Sequence, residues 1–165
     1  MISIFRRYEF SAMHFLPGHP KCGRWHGHNF RVEVSVSGQI KRRLREEFDH
    51  KDNGMVLDFW DLDDIVKPLI EGLDHSCLND LTDIISDPTV AGRSNTARFF
   101  LALPSPYLPT SEVLCQGFFD TIEPQLPNGI QMEFVRVWET DRSYAECSRN
   151  LSFPAHDHPM LGRIG

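Results

Sequence analysis

His14-Phe-Leu-Pro-Gly-His-Pro-Lys-Cys22-Gly-Arg-Trp-His26-Gly-His28-Asn-Phe30 gathers three usefully spaced histidines and a cysteine into one short run. His26 and His28 are two residues apart, so on an extended strand both side chains leave by the same face. Such a pair can grip one metal ion from a rigid backbone. His14 can add a third nitrogen from a neighbouring strand, and an all-nitrogen set suits zinc better than a hard, oxygen-seeking ion. Three histidines leave a fourth position free for water or another ligand. Cys22 sits just ahead of the pair, between Lys21 and Arg24, in a loop punctuated by glycine and proline. Nearby cations and a metal lower a thiol pKa. Cys22 is therefore either a reactive base at the rim of the site or, approaching closer, a further ligand that closes it.

Hydropathy phase supports the histidines. Residues 2 to 14 alternate, with Ile2, Ile4, Tyr8, Phe10 and Ala12 on one face, His14 at its end and Arg6 as the exception. Residues 26 to 36 alternate more cleanly, with His26, His28, Phe30, Val32, Val34 and Val36 on one face and polar residues on the other. These are two strands of a half-buried sheet. Each apolar face ends in histidine, so the metal belongs at the rim of the core, held by strand ends.

Outward from this pair, the chain has the length of one domain, 165 residues, with 41% hydrophobic and 24% charged residues and a formal charge of −6. That balance excludes the basic stripe of a nucleic-acid binder. The local basic run Lys41-Arg-Arg-Leu-Arg45 is followed at once by Glu46-Glu47 and reads as a solvated face. No apolar run approaches the roughly 20 residues that span a bilayer, and Arg6, Arg7 and Glu9 interrupt the first residues. Four cysteines without a CxxC pair fit a reducing compartment. The expected location is the cytoplasm, with no membrane or nucleic-acid partner.

The remaining elements follow from pattern. Asp58 is a helix N-cap, with Phe59, Leu62, Ile65, Val66, Leu69 and Ile70 at helical spacing, Pro68 predicting a kink or early end and Gly72 closing the helix. Residues 73 to 80 form a loop, and 81 to 108 are turn-rich around a possible short helix over 95–103. A second helix starts near Pro109-Thr110-Ser111-Glu112 and stops before Pro124. Residues 132 to 139 and 143 to 148 are paired strands, and the tail after Asn150 is loosely ordered. The order gives an antiparallel α+β layer over residues 1–150, a single domain with 81–108 as an insertion and 151–165 as a tail.

Three further features carry chemistry. His156-Asp-His158 repeats the paired spacing, but no strand phase or third ligand supports it. Asp74-His75 sets a carboxylate beside an imidazole, an arrangement that orients and polarises the ring for proton transfer. Glu139 is a carboxylate on the apolar-phase face of a strand. Burying it unpaired is costly, so it meets a partner or binds a ligand, such as the N–H pair of a heterocycle.

His14, Cys22-Gly-Arg-Trp-His26-Gly-His28, Gly54-Met-Val-x-Asp58-Phe59, Leu73-Asp-His75-x-x-Leu-Asn79, Pro109-Thr-Ser-Glu112 and Val137-x-Glu139-Thr140 occur in this order. Together they closely resemble the 6-pyruvoyltetrahydropterin synthase family, over roughly residues 1 to 80 and 109 to 148. The C-G-R-x-H-G-H arrangement is similar to the branch that forms 6-carboxytetrahydropterin in queuosine biosynthesis.

The resemblance implies a tunnelling fold, or T-fold: an antiparallel four-stranded sheet with two helices on one face, in ββααββ order, with an insertion before the second helix. Its subunits assemble into barrels as a homo-oligomer, trimer or hexamer. Zinc would be held by His14, His26 and His28 and would bind the side-chain hydroxyls of 7,8-dihydroneopterin triphosphate. Cys22 would be the proton-abstracting base, and Asp74 and His75 the relay, contributed across a subunit interface. Glu139 would anchor the pterin 2-amino and N3 groups, helped by Thr110, Ser111 or Glu112. The products would be 6-carboxy-5,6,7,8-tetrahydropterin, acetaldehyde and triphosphate. The alternatives on the same scaffold are triphosphate elimination to the pyruvoyl product and an aldolase-type cleavage. A non-catalytic zinc module is the alternative from another class. The insertion contains a second Pro-Thr, Pro88-Thr89, and is expected to cover the site mouth or decorate the exterior.

Overall fold

The computed structural model describes residues 1–42, 51–79, 100–103 and 107–149. Most of the expected insertion, most of the short helix at 95–103, the tail with its His156-Asp-His158, and part of the basic run lie outside the described residues.

Strands β1 (Ile2–His14) and β2 (His26–Gly38) pair antiparallel along their whole length, from Ile2 opposite Gly38 to His14 opposite His26. The alternation places the inner face as its phase predicts except at Ile2, which is exposed, while Glu33, Ser35 and Ser37 on the other face of β2 are buried as well. Tyr8, Phe10, Ala12 and His14 of β1 are buried on the same face as Phe30, Val32, Val34 and Val36 of β2, and Phe10 stacks on its register partner Phe30 at 5.0 Å between ring centroids. With His14 opposite His26 and Ala12 opposite His28, the three imidazoles gather at one end of the ladder. Gly27 between them faces the Ala12 carbonyl, which an added Cβ would meet at 3.2 Å. The glycine lets the two strands close up where the ligands sit.

Strand β4 (Gln131–Thr140) pairs antiparallel with β2, and β5 (Ser143–Ser148) with β4. The expectation of four antiparallel strands needs correction. A fifth, β3 (Ser76–Cys77), runs parallel to β1 at Ala12 and Met13, giving a mixed sheet in the order β3-β1-β2-β4-β5. The physical cause lies in the Asp74-His75 turn. His75 N–H donates to the Ser11 carbonyl at 2.6 Å and Leu78 N–H to the Met13 carbonyl at 3.0 Å, which lays the intervening pair along the strand. Two residues leave no periodicity in a sequence, so the segment read as a loop.

Helix α1 (Phe59–Leu73) begins where the capping rule places it, with the Asp58 carboxylate accepting from Trp60 N–H at 2.9 Å. Pro68 neither stops it nor ends it early. Its ring removes the hydrogen bond to the carbonyl of Asp64, and Asp64 and Pro68 are both exposed, so water can satisfy that carbonyl. Nor does Gly72 close the helix: it lies within it, and the Phe100 ring packs where a Cβ would stand, 2.4 Å away. Leu62, Val66, Leu69, Ile70 and Leu73 are buried, whereas Phe59 is largely exposed. Asp63 is also buried and explains the Arg6 exception. Arg6 grips its carboxylate with two bonds of 2.9 and 2.7 Å, Tyr8 Oη donates at 3.0 Å, and Lys67 lies at 3.1 Å.

Helix α2 (Ser111–Ile122) is capped by Thr110, whose hydroxyl accepts from Val113 N–H, and it passes into a 3-10 turn (Glu123–Gln125) at Pro124. Leu114, Phe118 and Ile122 are fully buried, and Phe118 reaches Phe10. Fully burying each such side chain contributes roughly 1.5–3 kcal/mol. This packing delivers the start of α2 to the histidine end of the sheet.

Candidate metal centre

One ligand atom each from His14, His26, His28 and Glu139 converges, all lying within 4.8 Å of one another. The register of β1 and β2 supplies the histidines, and β4 brings Glu139 beside them. Backbone carbonyls orient two of the rings. His14 Nδ1 stands 2.8 Å from the Pro109 carbonyl and His26 Nδ1 stands 2.7 Å from the Arg24 carbonyl. A carbonyl only accepts, so in each ring Nδ1 carries a hydrogen and Nε2 is the nitrogen turned toward the centre. Burial disfavours the charged form of His28 and lowers its pKa, despite Glu139 nearby. The Nε2 atoms of all three histidines are buried without a hydrogen-bond donor or acceptor. Orphaned ring nitrogens aimed at one point are costly unless something coordinates them, so the donor set fits a metal ion.

Glu139 is closer to this centre than its expected role requires. Its Oε1 is 3.0 Å from His14 Nε2 and 3.3 Å from His28 Nε2, and Ser111 Oγ donates to Oε2 at 3.3 Å. His14 beside it holds the carboxyl below the usual carboxylate range, against the effect of partial burial. Glu139 also lines a cavity of about 420 Å³ with Glu9, Asn29, Arg31, Trp138, Thr140 and Asp141.

Cys22 Sγ is not among the four converging atoms. The thiol is half-buried in a loop tied at its own residue: Leu16 N–H donates to the Cys22 carbonyl at 2.7 Å, and Cys22 N–H donates to His19 Nδ1 at 2.9 Å. Phe15 and Trp25 close the base of that loop, ring against ring at 4.3 Å. Burial pushes up the other three thiols, Cys115 to about 12.

Asp74 and His75 form the expected pair, His75 Nδ1 donating to Asp74 Oδ2 at 2.8 Å. The Asp74 carboxyl is held down first by Ser11 N–H, which donates to Oδ1 at 2.7 Å, and then by His75. His75 adopts a left-handed backbone, φ 55°, and its imidazole shares a cavity of about 490 Å³ with His28, Ser11, Asn29 and Cys77. His75 and one histidine of the cluster thus line the same cavity.

Of the three residues expected at the start of α2, Ser111 touches Glu139, Thr110 spends its hydroxyl on the cap, and Glu112 lines a separate cavity of about 770 Å³ beside Cys115 and Cys147. Asn79 was visible in its motif without a role. Its side-chain amide both accepts from Phe15 N–H and donates to the Phe15 carbonyl, each at 2.8 Å, and so fixes the backbone next to His14. The carbonyls of Pro109 and Arg24 gave no signal, because a backbone oxygen has no letter in a sequence.

The family model described as 6-pyruvoyl tetrahydropterin synthase matches residues 3–150. The chain belongs to the 6-pyruvoyl tetrahydropterin synthase family. It is 36% identical over 141 residues to an Archaeoglobus fulgidus protein provisionally named a 6-carboxy-5,6,7,8-tetrahydropterin synthase, covering 86% of this chain and 90% of the relative. It is 28% identical over 150 residues to the 6-carboxy-5,6,7,8-tetrahydropterin synthase of Haemophilus influenzae, covering 88% and 98%. The 6-pyruvoyl tetrahydropterin synthase of Caenorhabditis elegans superposes with a TM-score of 0.61 at 20% identity, over 89% of this chain and 94% of the other, and shares the T-fold. Among the described residues, no helix is long and apolar enough to cross a membrane.

Proposed function

We propose that the protein is a zinc-dependent lyase of the 6-carboxytetrahydropterin synthase type. It converts 7,8-dihydroneopterin triphosphate, with uptake of a water, to 6-carboxy-5,6,7,8-tetrahydropterin, acetaldehyde and triphosphate. The observation that carries this is the convergence of three unpartnered Nε2 atoms, two of them in rings oriented by backbone carbonyls, beside a carboxylate.

His14, His26 and His28 would hold the zinc, which when bound would supply Lewis acidity toward a substrate hydroxyl without a redox change. Cys22 moves the proton. Hydrogen bonds at its N–H and its carbonyl fix the Cys22 backbone within its loop. His75 serves as the relay: Asp74 keeps the hydrogen on Nδ1, which leaves Nε2 to take or give the mobile proton. Glu139 accepts from the 2-amino and N3–H groups of the pterin in a charge-assisted, paired hydrogen bond, and Ser111 orients it. Among the described residues β3 and β5 form the edges of the sheet, and edge strands suit pairing with a neighbouring copy in a trimeric or hexameric barrel.

The test is incubation of the zinc-loaded protein with 7,8-dihydroneopterin triphosphate, with acetaldehyde and the pterin product assayed together. Acetaldehyde in step with the carboxy product is the expected result. Triphosphate release to a pyruvoyl product without acetaldehyde would overturn the product assignment, and absence of turnover would favour a non-catalytic zinc module. Cys22→Ala should lower turnover by about 10²- to 10⁴-fold, and unchanged turnover would remove the thiol from the chemistry.

A further inference from the structure

We infer that His19 is a positioning residue for Cys22: its imidazole caps the single turn that carries the cysteine, and the cap fixes where the thiol stands. This rests on the reading of Cys22 as the proton-transfer base and adds what holds that base in place.

His19-Pro20-Lys21-Cys22-Gly23 closes one turn of helical type, with Gly23 N–H donating to the His19 carbonyl at 2.9 Å. Pro20 stands at its first position, where the N–H has no partner to lose and the fixed φ favours the turn. Cys22 N–H donates to His19 Nδ1 at 2.9 Å, three residues back along the chain, which is the reach of an N-cap side chain. A backbone N–H only donates, so Nδ1 accepts. His19 N–H donates to the Leu16 carbonyl at 3.1 Å, and Leu16 N–H donates to the Cys22 carbonyl at 2.7 Å. Three of these four bonds run through His19.

A lone turn has little to spare. Forming a first turn is unfavourable by itself, and here no further turns follow to repay it. Gly23 is committed to the geometry, because a Cβ there would meet the His19 carbonyl at 2.6 Å. The His19 residue is exposed, so packing does not hold its ring. The bond to Cys22 does.

The thiol inherits this order. A cysteine has one torsion between backbone and sulfur, with three staggered settings. With its N–H on His19 and its carbonyl on Leu16, the Cys22 backbone is tied at both ends of the residue, and Sγ is left with those few positions. Proton transfer needs its heavy atoms within about 2.6–3.2 Å, and a misplacement of about 1 Å costs on the order of 100-fold in rate. Cys22 is half-buried in the closed turn, and an opened turn exposes it.

The experiment uses the zinc-loaded full chain and three substitutions that differ in reach. His19→Asn puts an oxygen where Nδ1 stands, His19→Gln puts it one bond further out, and His19→Ala removes the acceptor. With 7,8-dihydroneopterin triphosphate, His19→Ala and His19→Gln should each lose about tenfold or more in kcat with KM held within about twofold. His19→Asn should keep kcat within about threefold of the unmutated protein. Iodoacetamide labelling of Cys22, followed by peptide mass spectrometry, should run about threefold or more faster in His19→Ala and His19→Gln than in the unmutated protein and His19→Asn. Equal kcat in His19→Asn and His19→Gln would overturn the cap, and this comparison needs no folded His19→Ala. Full turnover by Cys22→Ala, or none by the unmutated protein, would sink the base reading. The labelling rates then decide whether His19 positions the thiol, and equal rates in His19→Asn and His19→Gln would overturn it.

Discussion

His75 holds the one left-handed backbone among the described non-glycine residues, φ 55°. The conformation costs of order 1–3 kcal/mol and persists because Ser11 binds the turn twice, through its carbonyl to His75 N–H and through its N–H to Asp74. The strain aims an exposed imidazole into the cavity it shares with His28. His75→Gly removes ring and strain together. It should cut turnover about 100-fold or more while holding or raising stability by about 1 kcal/mol. Steady-state kinetics and chemical denaturation on the same preparation check both halves; a variant that loses stability would show that the ring supports the fold.

Asp63 shows a residue answering a question its own neighbourhood could not. Arg6 interrupts the apolar phase of β1 and Asp63 interrupts that of α1, and the two out-of-phase charges meet at 2.7 Å. The two exceptions have opposite signs, which is a signal carried by the sequence alone. Arg6, above all, holds the Asp63 carboxyl well below the usual carboxylate range. A carboxyl depressed in the fold stabilises fully above its unfolded value, about 3.9, and that contribution fades as pH falls toward the folded value. Asp63→Asn should therefore be less stable than the unmutated protein at pH 7, with the gap narrowing steadily below about pH 4. Urea denaturation across pH 2.5–7 would follow it.

At the scale of elements, α1 joins to its surroundings through a contact its sequence concealed. Gly72 invites reading as a terminator, yet the helix runs through it and Phe100 fills the space beside it. Helix propensity alone favours Gly72→Ala by about 1 kcal/mol. The 2.4 Å approach of the added Cβ to the Phe100 ring opposes it, and overpacking of this kind costs about 1–3 kcal/mol. Gly72→Ala should be neutral to destabilising, while the double variant with Phe100→Ala should recover the propensity gain; thermal unfolding of the pair decides it.

The strands were legible because a period of two, sustained from Ile2 and from His26, leaves little choice of which side chains face in. Both helix starts were legible because Asp58 and Thr110 cap them with side chains. Strand β3 was hidden by its brevity, and the continuation of α1 past Pro68 depended on whether water reaches the carbonyl of Asp64. Of the site, the side chains showed themselves and the backbone partners did not. Glu139 stood out as a carboxylate in an apolar phase, but that Oε1 would lie 3.0 Å from His14 depends on where β4 sits beside β2, which no local pattern encodes.

The whole molecule gathers its donor set from distant parts of the chain, so an ion bound there would act on stability. Zinc that binds the folded and not the unfolded chain stabilises it by about 2.7 kcal/mol at a free concentration a hundred times Kd, or about 5–10 °C in Tm for a chain of this size. Thermal unfolding at fixed protein concentration, with and without zinc, should show that rise, and His28→Ala should abolish most of it. An unshifted midpoint for the unmutated protein would contradict tight binding by the folded state.

The bond from His14 to the Pro109 carbonyl has a further consequence, in time rather than in space. A ribosome releases His14, His26 and His28 long before it reaches Pro109, Ser111 and Glu139. Until then the His14 ring has no carbonyl to choose its tautomer, and the three histidines form an unfinished chelate on a growing chain. Arrival of the last third of the chain brings the Pro109 carbonyl and the Glu139 carboxylate to the three rings, so the donor set is complete only when synthesis is nearly finished.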